Sequence, residues 1–140
     1  TIKRRVRKDD FELDLSSDSN NFIETVAKKP MDLRPTLWNT FSRITLVNRN
    51  EPERLTIDLG LSFEMDEETT KMKNLVIAEL KQERVSRNSP FAAALKKRLI
   101  RPGSISKYCL GVALLKENAK RNAFKAKILK IEKVEHGSAA

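Results

Sequence analysis

Residues 73–83 read KNLVIAELKQE. Leu75-Val76-Ile77 is apolar, and beyond it charge returns at every second residue, at Glu79, Lys81 and Glu83. A β-strand has a side-chain period of two, so these three share a face, while Val76, Ala78 and Leu80 share the other. A face carrying both signs, backed by aliphatics, has two readings. It is a solvated strand on the outside of a sheet, or it lines a polar cavity with its apolar side buried outward.

The rest of the chain bears on that choice. Its 140 residues suffice for one domain with a core. Lys and Arg number 28 against 19 Asp and Glu, a formal net charge of +9. Such an excess points to an anionic partner: nucleic acid, a phosphate compound or an acidic membrane surface. With four glycines, no glycine-rich phosphate loop can be drawn. One cysteine, Cys109, precludes an internal disulfide and points to a reducing compartment. One histidine, His136, leaves no His/Cys zinc set and no Cys–His nucleophile pair. No apolar run reaches the ~20 residues of a membrane span.

Taken in order, Thr1 to Lys8 (TIKRRVRK) places Lys3, Arg5 and Arg7 on one face if extended, or forms a basic arm. A short helix is predicted over Phe22 to Lys28, capped by Asn20 or Asn21 and stopped at Pro30. Leu37 to Asn48 and Arg54 to Gly60 read as the two strands of a hairpin. In the first, Arg43, Thr45 and Val47 share a face; in the second, Arg54, Thr56 and Asp58 do. Ser62 to Lys73 is acidic and reads as a loop. Ser89-Pro90 starts a helix that runs from Phe91 to about Ile100. A further helix spans Tyr108 to about Asn118. Phe124 to Val134 fits helix or strand equally, and residues 136–140 read as a disordered tail. Cys109, Tyr108 and Trp38 read as packing residues, and Lys96-Lys97-Arg98 as a solvated helix face.

Three stretches therefore place charge opposite their aliphatics, and amphipathic helices need an apolar surface to cover. Together they predict an α+β fold: a curved antiparallel sheet, charged inside and clad by helices on its aliphatic face. Two cations about 6 Å apart repel by roughly 3 kcal/mol at an effective dielectric near 20. A charged lumen of this kind needs a bound anion to offset it.

Arg43-Ile44-Thr45, Arg54-Leu55-Thr56-Ile57-Asp58, Ala78-Glu79-Leu80-Lys81 and Ser106-Lys107-Tyr108-Cys109-Leu110-Gly111 follow one another in an order and spacing that resembles the VTC domain. That is the catalytic domain of polyphosphate polymerases, within the triphosphate tunnel metalloenzymes of the CYTH-like superfamily. The start, Thr1 to Val6, resembles an early strand of the same domain. The resemblance covers the C-terminal two thirds of the domain, residues 1–135. It implies an antiparallel β tunnel, or barrel, whose first strands lie before Thr1 or come from another chain.

The resemblance further implies a phosphotransferase that passes the γ-phosphate of ATP onto a polyphosphate chain held in a basic tunnel. Carried over, Lys3, Arg5, Arg43, Arg54, Lys81, Ser106 and Lys107 would bind phosphate. Arg43, Arg54 and Lys81 would also serve the chemistry, and Glu79 would hold Mn²⁺ or Mg²⁺. Such transfer needs positioning and charge stabilisation rather than a nucleophilic side chain. A triphosphatase of the same fold and a non-catalytic polyphosphate- or polyanion-binding module are the alternatives. The strands lack the exposed aromatic platform of a single-strand-binding sheet, so nucleic acid is not expected. The implied setting is cytoplasmic, or the cytoplasmic face of a membrane.

Overall fold

The computed structural model describes residues 4–84 and 89–137. Lys3 and the last residues of the expected tail, 138–140, lie outside the described residues. The chain divides into two compact units, 1–36 and 37–140.

The first unit is built around helix α1, Ser17–Ala27. It begins well before the predicted Phe22. Ser16, not Asn20 or Asn21, is the N-cap, its hydroxyl accepting from the Ser19 amide. Lys28 ends the helix in the left-handed region at φ 59°. Ahead of it, the Glu12 carboxylate accepts from the Ser19 hydroxyl and from Lys8. Those bonds, Ser19 first, hold the Glu12 carboxyl at about 2. Residues 4–8 form no strand.

The second unit is an antiparallel four-stranded sheet with helices. Strand β1, Trp38–Val47, runs along one edge of the long strand β2, Glu53–Met65. The other edge of β2 is shared: β3, Glu68–Met72, pairs with its second half and β4, Ile77–Gln82, with its first. Helices α2 (Pro90–Lys97), α3 (Lys107–Leu115) and α4 (Lys125–Glu135) follow, α4 preceded by a single 3₁₀ turn. Ser89 and Ser106 cap α2 and α3, accepting from the amides of Ala92 and Cys109. The ambiguous stretch after Phe124 is thus helical. No helix among the described residues is long and apolar enough to cross a membrane.

Residues 62–72, expected to be a loop, complete β2 and form β3. The turn between them carries Asp66 at φ 55°. The acidic residues sit on the exposed side and at the turn, while Leu61, Phe63 and Met72 form the core with Leu75, Leu110 and Ile131.

The sheet is open, which corrects the expected tunnel. Among the described residues β1 has no partner on its outer edge, and the sheet is three strands wide at any level. Barrels that enclose a lumen need more strands, each tilted and staggered against its neighbours. The expected cladding is corrected too. Helix α3 covers the face that carries Asp58, Leu61 and Phe63, while Ile44 and Leu46 on the other face are half exposed.

The cause is a β-bulge. Ser42 pairs with Leu59 and Thr40 with Ser62, so Gly60 and Leu61 together oppose Phe41. Gly60 takes φ +61°, which a side chain disfavours. The extra residue changes the parity of β2. Arg54, Thr56 and Asp58 before the bulge share a face with Leu61 and Phe63 after it. One sheet face is therefore charged at one end and apolar at the other. Helices α3 and α4 cover the apolar end.

Where α3 meets the sheet, Gly111 is in close contact. A Cβ there would lie 2.6 Å from Leu37 and 2.7 Å from the fully buried Phe63. At the other side of the core, Glu135 fastens α4. Its carboxylate accepts from the backbone amides of Lys73, Asn74 and Leu75 at 3.0, 3.0 and 2.6 Å. The Asn74 side chain donates to its carbonyl.

Two substitutions separate these roles. Gly111→Ala overpacks a filled site and is expected to destabilise the fold by about 2 kcal/mol. Gly60→Ala meets open space and incurs only the left-handed backbone cost, about 1 kcal/mol. Urea unfolding midpoints of the two variants measure the difference, with Gly111→Ala the lower.

Candidate functional site

The strand registers set out the charged end of the sheet face in three rows. Arg43, Asp58 and Ile77 form the first, Thr45, Thr56 and Glu79 the second, and Val47, Arg54 and Lys81 the third. Directly paired residues in antiparallel strands point to the same side. The period-two reading of all three strands therefore places Arg43, Arg54, Glu79 and Lys81 together on one face.

Asp58 is the buried centre of the first row, only 2% exposed. Its carboxylate accepts two bonds from the Arg43 guanidinium, Nε to Oδ1 at 2.6 Å and Nη2 to Oδ2 at 2.8 Å. Lys107, in the first turn of α3, closes on Oδ2 at 2.5 Å. The Phe41 ring lies beneath both cations, its centroid 4.9 Å from the guanidinium carbon and 4.7 Å from the ammonium. The Arg43 hydrogen bonds hold the Asp58 carboxyl down at about 2. Lys107 adds to that, and burial pulls the other way without prevailing. Arg43 is correspondingly raised, by its bonds to Asp58 first and then by the negative charges of Asp58 and Glu79.

The other two rows are looser. Glu79 and Lys81, neighbours on one side of β4, form an ion pair at 3.2 Å, each about half exposed. Such a pair contributes little to stability. Arg54 is exposed, directly across from Lys81. Both line an open hollow of about 370 Å³ beside the β1–β2 turn, with Glu51, Glu53 and Glu83 on its rim. At the centre of the second row Thr56 is buried, and its Oγ1 has no hydrogen-bond partner among the described residues.

The remaining expected residues are placed as follows. Arg5 is exposed in the first unit. Ser106 accepts from the Cys109 amide as the α3 cap, and Lys107 is engaged with Asp58 and Phe41. Cys109 is half-buried, and Tyr108 and Trp38 are about half exposed. Three residues of the site were not picked out from the sequence as ligands: Phe41, Thr56 and the central Asp58. Only the alternation Arg54-Thr56-Asp58 signalled the last two.

The expected metal site is corrected. Among the described residues no group of three or more His, Cys, Asp or Glu side chains comes together. Glu79 faces Lys81, and the carboxylate nearest to it in the rows, Asp58, is already saturated by two cations. A divalent ion needs several oxygen ligands, and the described residues gather no such set on this face. With the tunnel open and this ligand set missing, the reading as a metal-dependent polyphosphate polymerase, and as a phosphotransferase working with Mn²⁺ or Mg²⁺, is withdrawn.

Fold and site together define an α+β domain that presents a cation-bearing sheet face to solvent. The profile of the VTC domain matches residues 2–116, and the chain belongs to that family. No curated protein and no solved structure matches it significantly.

The Asp58 cluster has a testable consequence for acid stability. A carboxyl held below its ordinary value contributes stability that is complete above about pH 4 and lost as the pH falls towards 2. Asp58→Asn should lower stability at pH 7 by roughly 2 kcal/mol, a buried-pair loss discounted because Arg43 can turn to water. The same variant should flatten the fall in Tm between pH 4 and pH 2, followed by circular dichroism.

Proposed function

We propose that this chain is a non-catalytic polyanion-binding module. Its ligand is a linear polyphosphate or the triphosphate of a nucleotide, held across the open charged face. One observation carries the reading: Arg54 and Lys81 stand directly opposite each other on a solvent-facing sheet surface, with Arg43 on the same face. Membership of the VTC domain family and the net charge of +9 support a phosphate ligand over other anions.

Arg54 and Lys81 supply the contact. The Arg54 fork suits two phosphate oxygens, and Lys81 acts as a mobile point charge. Lys81 gives up its weak pair with Glu79 when a phosphate arrives. Arg43 and Lys107 are committed to Asp58 and contribute mainly through their field, since three charges in that cluster sum to +1. Glu79 is a like charge facing the ligand, so it opposes binding rather than bridging it.

Calorimetric titration with inorganic tripolyphosphate, in EDTA, tests this. Binding is expected without any divalent ion. The pair Arg54→Ala and Lys81→Ala should weaken it about tenfold or more, and Glu79→Gln should leave it intact or tighten it. Affinity that requires a divalent ion, or that ignores Arg54 and Lys81, would overturn the proposal.

A further inference from the structure

Thr56 sits at the middle of the charged face. Thr45 lies across from it on β1 and Glu79 on β4, with Arg54 and Asp58 two residues away along its own strand. Its side chain points to the same side as theirs. It is 6% exposed, and Oγ1 is the one buried side-chain polar atom among the described residues that lacks a hydrogen-bond partner.

That is an unusual condition for a hydroxyl. Buried polar groups nearly always find partners, and one left alone costs free energy. A threonine has an easy apolar substitute in valine, which a strand accommodates as well. A valine there would leave no donor unpaired, so the hydroxyl at this position is not accounted for by the packing of the strand. Besides the carboxylates of Glu79 and Asp58, two exposed cations stand near it on this face, Arg54 and Lys81, the latter in a weak pair with Glu79. A hydroxyl can donate as well as accept. The phosphate oxygens of a polyphosphate only accept, so a donor standing between Arg43 in one row and Arg54 with Lys81 in the other matches them.

We infer that Thr56 is a recognition residue for the bound phosphate chain, donating through Oγ1 to a phosphate oxygen once Arg54 and Lys81 have drawn the ligand onto the face. This deepens the polyanion-binding reading and rests on it. The cations attract any polyanion, whereas a single donor at the floor of the face rewards a ligand narrow enough to reach it. A linear inorganic polyphosphate has that shape; a bulky sulfated sugar does not.

The test is Thr56→Val, with Thr56→Ser as the variant that restores the hydroxyl. Thermal melts of the free protein and titrations with tripolyphosphate and with heparin are compared for both and for the wild type. Thr56→Val should melt no lower than the wild type and bind tripolyphosphate about tenfold more weakly, with heparin binding unchanged. Thr56→Ser should keep the wild-type affinity. If Thr56→Val melts lower and binds normally, the hydroxyl is a structural group and the inference fails. Unchanged binding in Thr56→Val, where the Arg54→Ala, Lys81→Ala pair still weakens it, rejects Thr56 alone. Should that pair also leave binding unchanged, the polyanion reading falls with it. If Thr56→Val does not fold, Thr56→Ala carries the same comparison.

Discussion

The Asp58 carboxylate ties three elements of the larger unit together. It is on the central strand, Arg43 is on β1, and Lys107 opens α3. A buried carboxylate is tolerated only when it is paired and hydrogen-bonded, and both oxygens here are occupied. Two cations drawn to one point would repel each other, but Asp58 lies between them and the Phe41 ring beneath both. The trio therefore fixes where the start of α3 stands on the sheet. That in turn fixes the Ser106 cap and brings Gly111 against Phe63, where only a residue without a side chain fits.

The same placement explains why the charged face stays exposed. Gly60 shifts the alternation of β2 by one residue, so a single sheet face runs from Arg54 through Asp58 to Phe63. The apolar end of that face is the only part that gains from being covered, and α3 and α4 cover it. Asp58 lies at the boundary, with the core on one side and open cations on the other. Without the bulge, Leu61 and Phe63 would have continued the aliphatic side of the strand. The helices would then have packed opposite the charges, as the unbroken alternation suggests.

Much of this was legible and some was not, for physical reasons. Period-two alternation specifies faces within a strand, so Arg43 was grouped with Thr45, Arg54 with Asp58 and Glu79 with Lys81 from local pattern, whereas only the register shows that the three strands turn these sets to one side. Ser89-Pro90 marked a helix start because capping is a local hydrogen bond. A bulge is not local in the same sense. Gly60 looks like the end of a strand, and only its partner strand shows that pairing continues. That is why β3 was missed: the acidic residues of 64–68 read as a loop, although Leu61, Phe63 and Met65 kept their alternation through it. The Asp58–Lys107 contact was invisible for another reason. It joins distant parts of the chain, and nothing near either residue announces the other. The expected tunnel and metal site came from family resemblance, and both depend on closure, a property of the whole sheet that no single strand encodes.

An open face imposes different physics on anion binding than a closed lumen would. In a tunnel, cations act through a low dielectric and each contact is strong. On this sheet Arg54 and Lys81 work through water, where two charges at contact attract by about 1 kcal/mol and salt screens them beyond roughly 10 Å. Attraction of that size gathers polyanions without distinguishing them. Discrimination has to come from groups whose interactions are short-ranged and shielded from solvent. On this face Asp58 is shielded but already saturated by its two cations. That leaves the buried Thr56 hydroxyl, among the described residues the one buried side-chain polar atom without a hydrogen-bond partner, as the proposed source of selectivity. On the proposed reading, the cations would set how strongly the face collects phosphate chains, and the hydroxyl beneath them would set which chain is held.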